Sequence, residues 1–269
     1  MDKKEFHRII YSYYEKEGRR FPWRKKTDPW GVMVSEFMLQ QTQTDRVIVY
    51  WTRFMKKWPD PPSLAKASQE DVLREWNGLG YNRRCYYLKD CARRITKEYD
   101  GEVPDNPKYL ISLPGIGPYT AGAIPCFAYN RPSVFIETNI RAVFLHFFFK
   151  DRTGVNDREI LPLLADYMDK RNPRKWYWAL MDYGAALKQF AENPNRRSAH
   201  YSKQSPFEGS FRQRRGTVIR VLVTGGPANL RQLRERSGVE EEDLYAVLGA
   251  LEKESMVAEK DGVYRIREW

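Results

Sequence analysis

The chain reads as a mostly α-helical protein that ends in a small winged-helix-like α+β module, and three observations carry that reading. From residue 3 to residue 190, segment after segment places its apolar residues at helical spacing. Midway, Leu113-Pro114-Gly115-Ile116-Gly117-Pro118-Tyr119 makes a tight glycine turn between two such segments. Beyond residue 209, three helical runs are followed by two short strand-like runs separated by Asp261-Gly262, a hairpin signal.

The bulk properties narrow the class. At 269 residues the chain is one large domain or two smaller ones, and 42% apolar residues suffice for a packed core. Mean hydropathy is −0.70, and no run of about 18 apolar residues exists to span a membrane. The N-terminus has no apolar signal core, so a cytoplasmic protein is expected, nucleoid-associated in a prokaryote. A net charge of +11 favours polyanions, nucleic acid first, although a basic cytoplasmic protein without such a partner fits the charge alone. The cysteines, Cys85, Cys91 and Cys126, form no C-x-x-C pair, and the three histidines are scattered. No disulfide framework and no transition-metal site are expected.

In chain order, the first helix presents Phe6, Ile9, Ile10 and Tyr13 on one face. After a basic loop, Thr27-Asp28-Pro29 reads as the start of a helix running from Trp30 to Gln43. Its apolar residues run almost all round, so it belongs in the core, where a glutamate is costly. Glu36 is therefore either an acid of raised pKa facing a pocket or half of a buried salt bridge. The helix end carries Gln40, Gln41 and Thr42, which either cap the helix or contact bases. Helices are then expected over Arg46 to Trp58 and over Ser63 to Trp76. Between that helix and one over Cys85 to Tyr99 lies a glycine turn with Tyr81 at its tip, followed by Arg83 and Arg84. Such a loop either inserts an aromatic ring into a base stack while its arginines take phosphates, or is a plain helix end.

At the hairpin, Gly115 and Gly117 leave backbone N–H groups open to an anion at the start of the next helix. Glu137-Thr138-Asn139 opens the helix after that, either as chemistry near a bound strand or as an N-terminal cap. Two more helices follow, from Asp157 to Lys170 and from Lys175 to Phe190, the second enclosing Asp182 as a partner for a helix end or an arginine. Residues 193–210 read as a basic linker along a DNA backbone, with Arg196 and Arg197 ahead of Arg212, Arg214 and Arg215. The last module has helices over Arg215 to Val223, Leu230 to Ser237 and Glu240 to Glu254. The acidic start of the third suits a major-groove reader poorly, leaving phosphate contacts by the first helix or wing, or protein docking.

Six collinear segments resemble one family: FPWR (Phe21 to Arg24), SEFMLQQTQ (Ser35 to Gln43), NGLGY (Asn77 to Tyr81), LPGIGPYTAGA (Leu113 to Ala123), Glu137-Thr138-Asn139, and LMDYGA (Leu180 to Ala185). Together they resemble the helix-hairpin-helix (HhH-GPD) DNA glycosylases, nearest the MutY-type adenine DNA glycosylases. The resemblance implies a two-lobed helical glycosylase domain over residues 1–192; the linker over 193–210 and the winged-helix-like domain over 211–269 lie outside it and rest on the composition and pattern alone. It implies a monomer on double-stranded DNA carrying a mismatch or lesion, with the target base turned out of the stack. Gln41 would wedge into the stack and Tyr81 would fill it. Glu36 would protonate the departing adenine at N7, Glu137 would take the place of the family's catalytic aspartate beside the oxocarbenium-like sugar, and Tyr119 and Asn139 would support that intermediate and orient the carboxylate. The endonuclease III branch has a lysine where this chain has Tyr119, so strand cutting through a Schiff base is not expected.

Three departures from the family pattern shape the expectation. A glutamate stands where the family has aspartate, and a carboxylate displaced by about 1 Å can cost about 100-fold. The four-cysteine iron–sulfur motif is missing: Lys188 stands near its first position and no cysteine follows Cys126. No cluster is expected, a monovalent cation at the hairpin carbonyls is a candidate, and the basic linker would take over the cluster loop's DNA contacts. The domain that reads 8-oxoguanine is replaced by the winged helix. Thymine or uracil excision from mismatches and non-catalytic binding of lesions or abasic sites are the alternatives.

Overall fold

The computed structural model describes residues 1–190 and 192–268; Ala191 and Trp269, which the expected domain limits include, lie outside them. Among the described residues there are fifteen α-helices and three short strands. The first nine helices are α1 (Lys3–Glu17), α2 (Pro22–Lys25), α3 (Pro29–Leu39), α4 (Thr44–Lys57), α5 (Pro61–Lys66), α6 (Gln69–Trp76), α7 (Arg83–Glu98), α8 (Pro107–Leu110) and α9 (Pro118–Tyr129). Next come α10 (Thr138–Phe148), α11 (Asp157–Tyr167), α12 (Pro173–Phe190) and a 3-10 turn over Pro194–Arg197. The chain closes with α13 (Phe211–Gly225), β1 (Ala228–Asn229), α14 (Leu230–Ser237), α15 (Glu241–Lys253), β2 (Val257–Lys260) and β3 (Val263–Ile266). None of these helices is long and apolar enough to cross a membrane.

The helix starts follow local chemistry. Asp28 Oδ1 accepts from the N–H of Gly31 at 2.8 Å, so α3 begins where the Asp-Pro pair puts it. The expected single helix from Ser63 to Trp76 is two. Ala67 and Ser68 are extended, and the Ser68 hydroxyl accepts from the N–H of Asp71, starting α6 afresh. The helix expected to reach Gln43 stops at Leu39, and Gln41 takes a left-handed backbone (φ 56°).

The chain divides into two compact units that cross the expected domain limits: residues 1–33, 105–112 and 116–203, and residues 34–104, 113–115 and 204–269. In the first, α10 and α12 pack on each other and α1 packs on α12, around Phe6, Ile10, Phe144, Trp176, Tyr177 and Leu180, all fully buried. Asp182 on α12 is buried and takes Arg19 at 2.7 Å and Arg24 at 2.8 Å, the structural pairing its position in an apolar helix calls for. Gly184 lets α12 approach α10 closely: a Cβ there would meet the carbonyl oxygen of Asn139 at 2.1 Å. The first part of the expected linker is built into this unit. Val155 donates to the Arg197 carbonyl and Ala199 to the Val155 carbonyl, each at 2.9 Å.

In the second unit, Trp51, Phe54, Leu73, Trp76, Leu88 and Ile95 are buried on α4, α6 and α7. The winged-helix module is part of the same unit. Its sheet runs β1-β3-β2, antiparallel throughout, with Glu259 opposite Tyr264 across the hairpin. Several contacts tie it to the helices, α13 against α6 among them. The buried Tyr86 hydroxyl donates to the Met256 carbonyl at 2.8 Å. The Glu268 carboxylate accepts from the N–H groups of Gln69 at 2.8 Å and Glu70 at 3.2 Å, at the positive end of α6. The acidic first turn of α15 has a structural account as well: it faces its own helix's positive end, and Asp243 pairs with Arg214 at 2.5 Å.

Candidate active site

Chemistry in the first unit gathers at the start of α10. The segment leading into it is pinned by Tyr177, whose ring stacks on Phe135 at 3.9 Å and whose hydroxyl donates to the Ser133 carbonyl at 2.8 Å. Tyr119, near the start of α9, packs edge-on against the same Phe135 at 5.6 Å. Held this way, Glu137 is extended and caps α10. Its Oε1 accepts from the N–H groups of Asn139 and Ile140, each at 2.9 Å. These are the bonds a shorter aspartate makes as a cap, so the extra methylene is absorbed by folding the side chain back onto its own helix.

The other carboxylate oxygen, Oε2, accepts from Asn139 Nδ2 at 3.2 Å, and Asn139 Oδ1 in turn accepts from Lys188 Nζ at 3.0 Å. A chain of three polar groups therefore fixes the carboxylate. Lys188 on α12 has no place in the expected catalytic set. It lies 49 residues from Asn139, and sequence proximity gives no sign of the contact. Glu137 is partly accessible but has protein on most sides, and burial raises its pKa above the ordinary carboxylate value. The amides of Asn139 and Ile140, then the charges of Lys188 and Arg141, pull the other way without cancelling the rise. Such a tension between burial and fixed positive charge is common where a carboxylate performs chemistry.

The hairpin glycines do different work. Gly115 has a left-handed backbone (φ 72°), and a Cβ there would meet the Tyr87 ring at 2.6 Å, so only glycine fits. Gly117 is extended, with nothing within 4 Å of where a Cβ would stand, and opens α9 without a side-chain cap. Its space is open to an approaching group, and α9 presents uncapped N–H groups there.

In the second unit, Glu36 is 6% exposed on α3, next to the fully buried Phe37 and Met38. Gln41 is exposed, with Gln40 and Thr42 half-buried beside it. Tyr81 also has a positive φ (48°), so both loop tips adopt a backbone unfavourable to ordinary side chains.

The expected phosphate contact at Arg84 needs correcting. Arg84 is 6% exposed, and its guanidinium is committed to the chain. Nη1 donates to the carbonyls of Phe37 at 2.9 Å, Met38 at 2.8 Å and Gln40. Nη2 donates to the Gly80 carbonyl at 3.0 Å and the Thr42 hydroxyl at 3.1 Å. This arginine ties the loop after α3 to the loop before α7. Burial pulls its pKa down to about 10, still a cation at neutral pH. Arg83 beside it is exposed over the Tyr87 ring.

The other arginines divide the same way. Arg197 donates to the carbonyls of Leu145 at 3.0 Å and Lys150 at 2.9 Å, finishing α10. Arg215 grips Glu254 through two bonds of 2.7 and 2.8 Å. Those two hold the fold. Arg196 pairs with Glu192 on an exposed surface, and Arg212 reaches the Tyr81 hydroxyl at 2.5 Å.

Three buried cysteines cannot supply four thiolates, so the chain does not fit the iron–sulfur cluster that the family resemblance brings to mind. Among the described residues no group of three or more His, Cys, Asp or Glu side chains comes together to hold a metal ion.

Known proteins resemble this chain in sequence and in fold. Residues 34–165 match the HhH-GPD superfamily base excision DNA repair protein model. An adenine DNA glycosylase of Mycobacterium tuberculosis (strain CDC 1551 / Oshkosh) is 44% identical over 135 residues, 50% of this chain and 44% of that protein. An adenine DNA glycosylase of Rattus norvegicus is 36% identical over 198 residues, 69% of this chain and 38% of that protein. Among solved structures, a thermostable thymine-DNA glycosylase superposes with a TM-score of 0.65 at 25% identity, covering 71% of this chain and 90% of that one. The chain spans about half the length of the curated relatives it matches.

Proposed function

Given that residues 34–165 belong to the HhH-GPD superfamily of base excision DNA repair proteins, we propose that the protein is a monofunctional DNA glycosylase that removes a mispaired or damaged base from duplex DNA, adenine first. The observation that carries this reading is the Glu137 carboxylate, held by two backbone amides and the Asn139–Lys188 pair with its pKa raised by burial.

The reaction balances with the groups at hand. Glu36, in its protonated form, gives its proton to N7 of the extruded adenine. The C1′–N9 bond breaks, and its electron pair leaves with the base. The sugar becomes an oxocarbenium ion, which the Glu137 carboxylate stabilises, as paired carboxylates do in glycoside hydrolysis. A water adds to C1′ and its proton passes to Glu137. Asn139 orients the carboxylate and Lys188 orients Asn139. Tyr119 offers a phenol where strand-cutting relatives offer an amine, so the product is an abasic site in an intact strand. Binding would rest on the amides at the start of α9, on Arg83, and on insertion of Gln41 and Tyr81 into the stack.

The similarity to a thymine-DNA glycosylase over 90% of that protein's chain favours a second reading, excision of thymine or uracil from mismatches with guanine. A panel of labelled duplexes carrying adenine, thymine or uracil against each partner base decides between the two. Tight binding to abasic sites without release from any duplex would instead make the protein a lesion binder.

A further inference from the structure

Gln204 and Arg212 form a polar cluster with the two loop tips. Gln204 donates its amide to Gln41 Oε1 at 3.2 Å and to the Tyr81 hydroxyl. Arg212, in the first turn of α13, donates Nη1 to the same hydroxyl and Nη2 to the Ser205 carbonyl at 2.8 Å. The Tyr81 ring lies beside two guanidinium groups, Arg84 at 5.5 Å and Arg212 at 5.8 Å. Arg84 fixes both tips from below, and both tips carry the backbone cost of positive φ. Strain and rigid support of this kind hold side chains in place for a ligand.

The chemistry of the cluster suits a nucleobase better than a phosphate. It combines an aromatic face, two amides that accept as well as donate, and an arginine fork, whereas phosphate oxygens only accept and leave an aromatic face and an amide oxygen without a partner. Arg212 has part of its fork anchored to backbone and part on a neutral phenol, which a pair of base acceptors can replace without stranding a buried charge. Position identifies which base. Side chains that fill the gap left by an extruded nucleotide face the partner base that has lost its pair, and Gln204 and Arg212 are hydrogen-bonded to those side chains.

We infer that Gln204 and Arg212 read the unpaired base opposite the extruded nucleotide, and that they favour a purine with two adjacent acceptors, as guanine offers with O6 and N7. This rests on the reading of Gln41 and Tyr81 as the inserted pair. It assigns opposite-base selection to the winged-helix module and the segment entering it.

Two measurements on the full chain test it. The first is single-turnover release of adenine placed opposite guanine, cytosine, thymine, adenine or a base-less residue. The second is binding to duplexes carrying a stable abasic analogue opposite the same five partners. The wild-type protein is expected to prefer guanine over the base-less partner in both. Arg212→Ala is expected to shrink that preference about tenfold, the worth of a lost arginine–guanine pair. Gln204→Ala, a change on an exposed loop with little bearing on folding, should shrink it by a smaller factor. A uniform loss across all five partners would overturn the inference, because it would mean phosphate positioning or support of Tyr81. Should no duplex release its base, the glycosylase reading fails while the binding series still decides: a guanine preference that depends on Arg212 sustains the inference, and equal binding to all partners overturns it.

Discussion

At Glu137 the fold stores a cost. Its folded pKa lies above that of the unfolded chain, so the native state holds the proton more tightly. Stability from this group is fully present below the ordinary carboxylate pKa and is lost as pH rises through the raised value. Glu137→Gln is therefore expected to be at least as stable as the wild type at neutral pH, with the difference vanishing in acid, while base release falls 100-fold or more. Thermal melts across pH and single-turnover rates check the two halves, and a destabilised but active variant would contradict both. Lys188 lowers the same pKa. Lys188→Ala should move the acid limb of the pH–rate profile to higher pH, and Lys188→Arg should move it back; a uniform drop without a shift would reduce Lys188 to a structural contact. The Glu-x-Asn unit was legible because cap and carboxylate are neighbours in sequence. Lys188 was not, because its contact forms only when α12 packs on α10. Arg84 was misread because a buried arginine that gathers carbonyls and a surface arginine that meets phosphates look alike in the string Asn82-Arg83-Arg84.

At the scale of elements, Gly184 and Asp182 set how α12 packs, Gly184 against the start of α10 and Asp182 against Arg19 and Arg24. A methyl at position 184 has no room beside the Asn139 carbonyl, so Gly184→Ala must shift the start of α10 and the carboxylate with it. We expect a rate loss of about 100-fold, the cost of a misplacement near 1 Å, with helical content kept by circular dichroism. Asp182→Ala leaves Arg24 buried without its counter-charge and is expected to cost about 3–5 kcal/mol in urea unfolding. Most helices were legible from apolar spacing and starts such as Asp28-Pro29. The break between α5 and α6 was not, because apolar spacing continues across Ala67-Ser68 and only the Ser68 cap interrupts it. The two-residue β1 has too few residues to show a period.

For the molecule as a whole, the winged-helix module shares a compact unit with residues 34–104. Its three-helix-plus-hairpin pattern was readable locally, but its attachment depends on contacts such as Glu268 to Gln69, 199 residues apart. A chain ending at Lys203 loses the acceptor of the buried Tyr86 hydroxyl and the Glu268 cap on α6. It is expected to melt at lower temperature and lose solubility, and an unchanged melting temperature would show the module to be a passive appendage. The central claim is that the protein hydrolyses the bond between base and sugar and leaves the strand whole. The most direct measurement incubates it with labelled duplexes bearing adenine, thymine or uracil and analyses each with and without alkali. The account predicts cleavage only after alkali, greatest for adenine and absent with Glu137→Gln. Strand breaks without alkali, or no break under either condition, would contradict it.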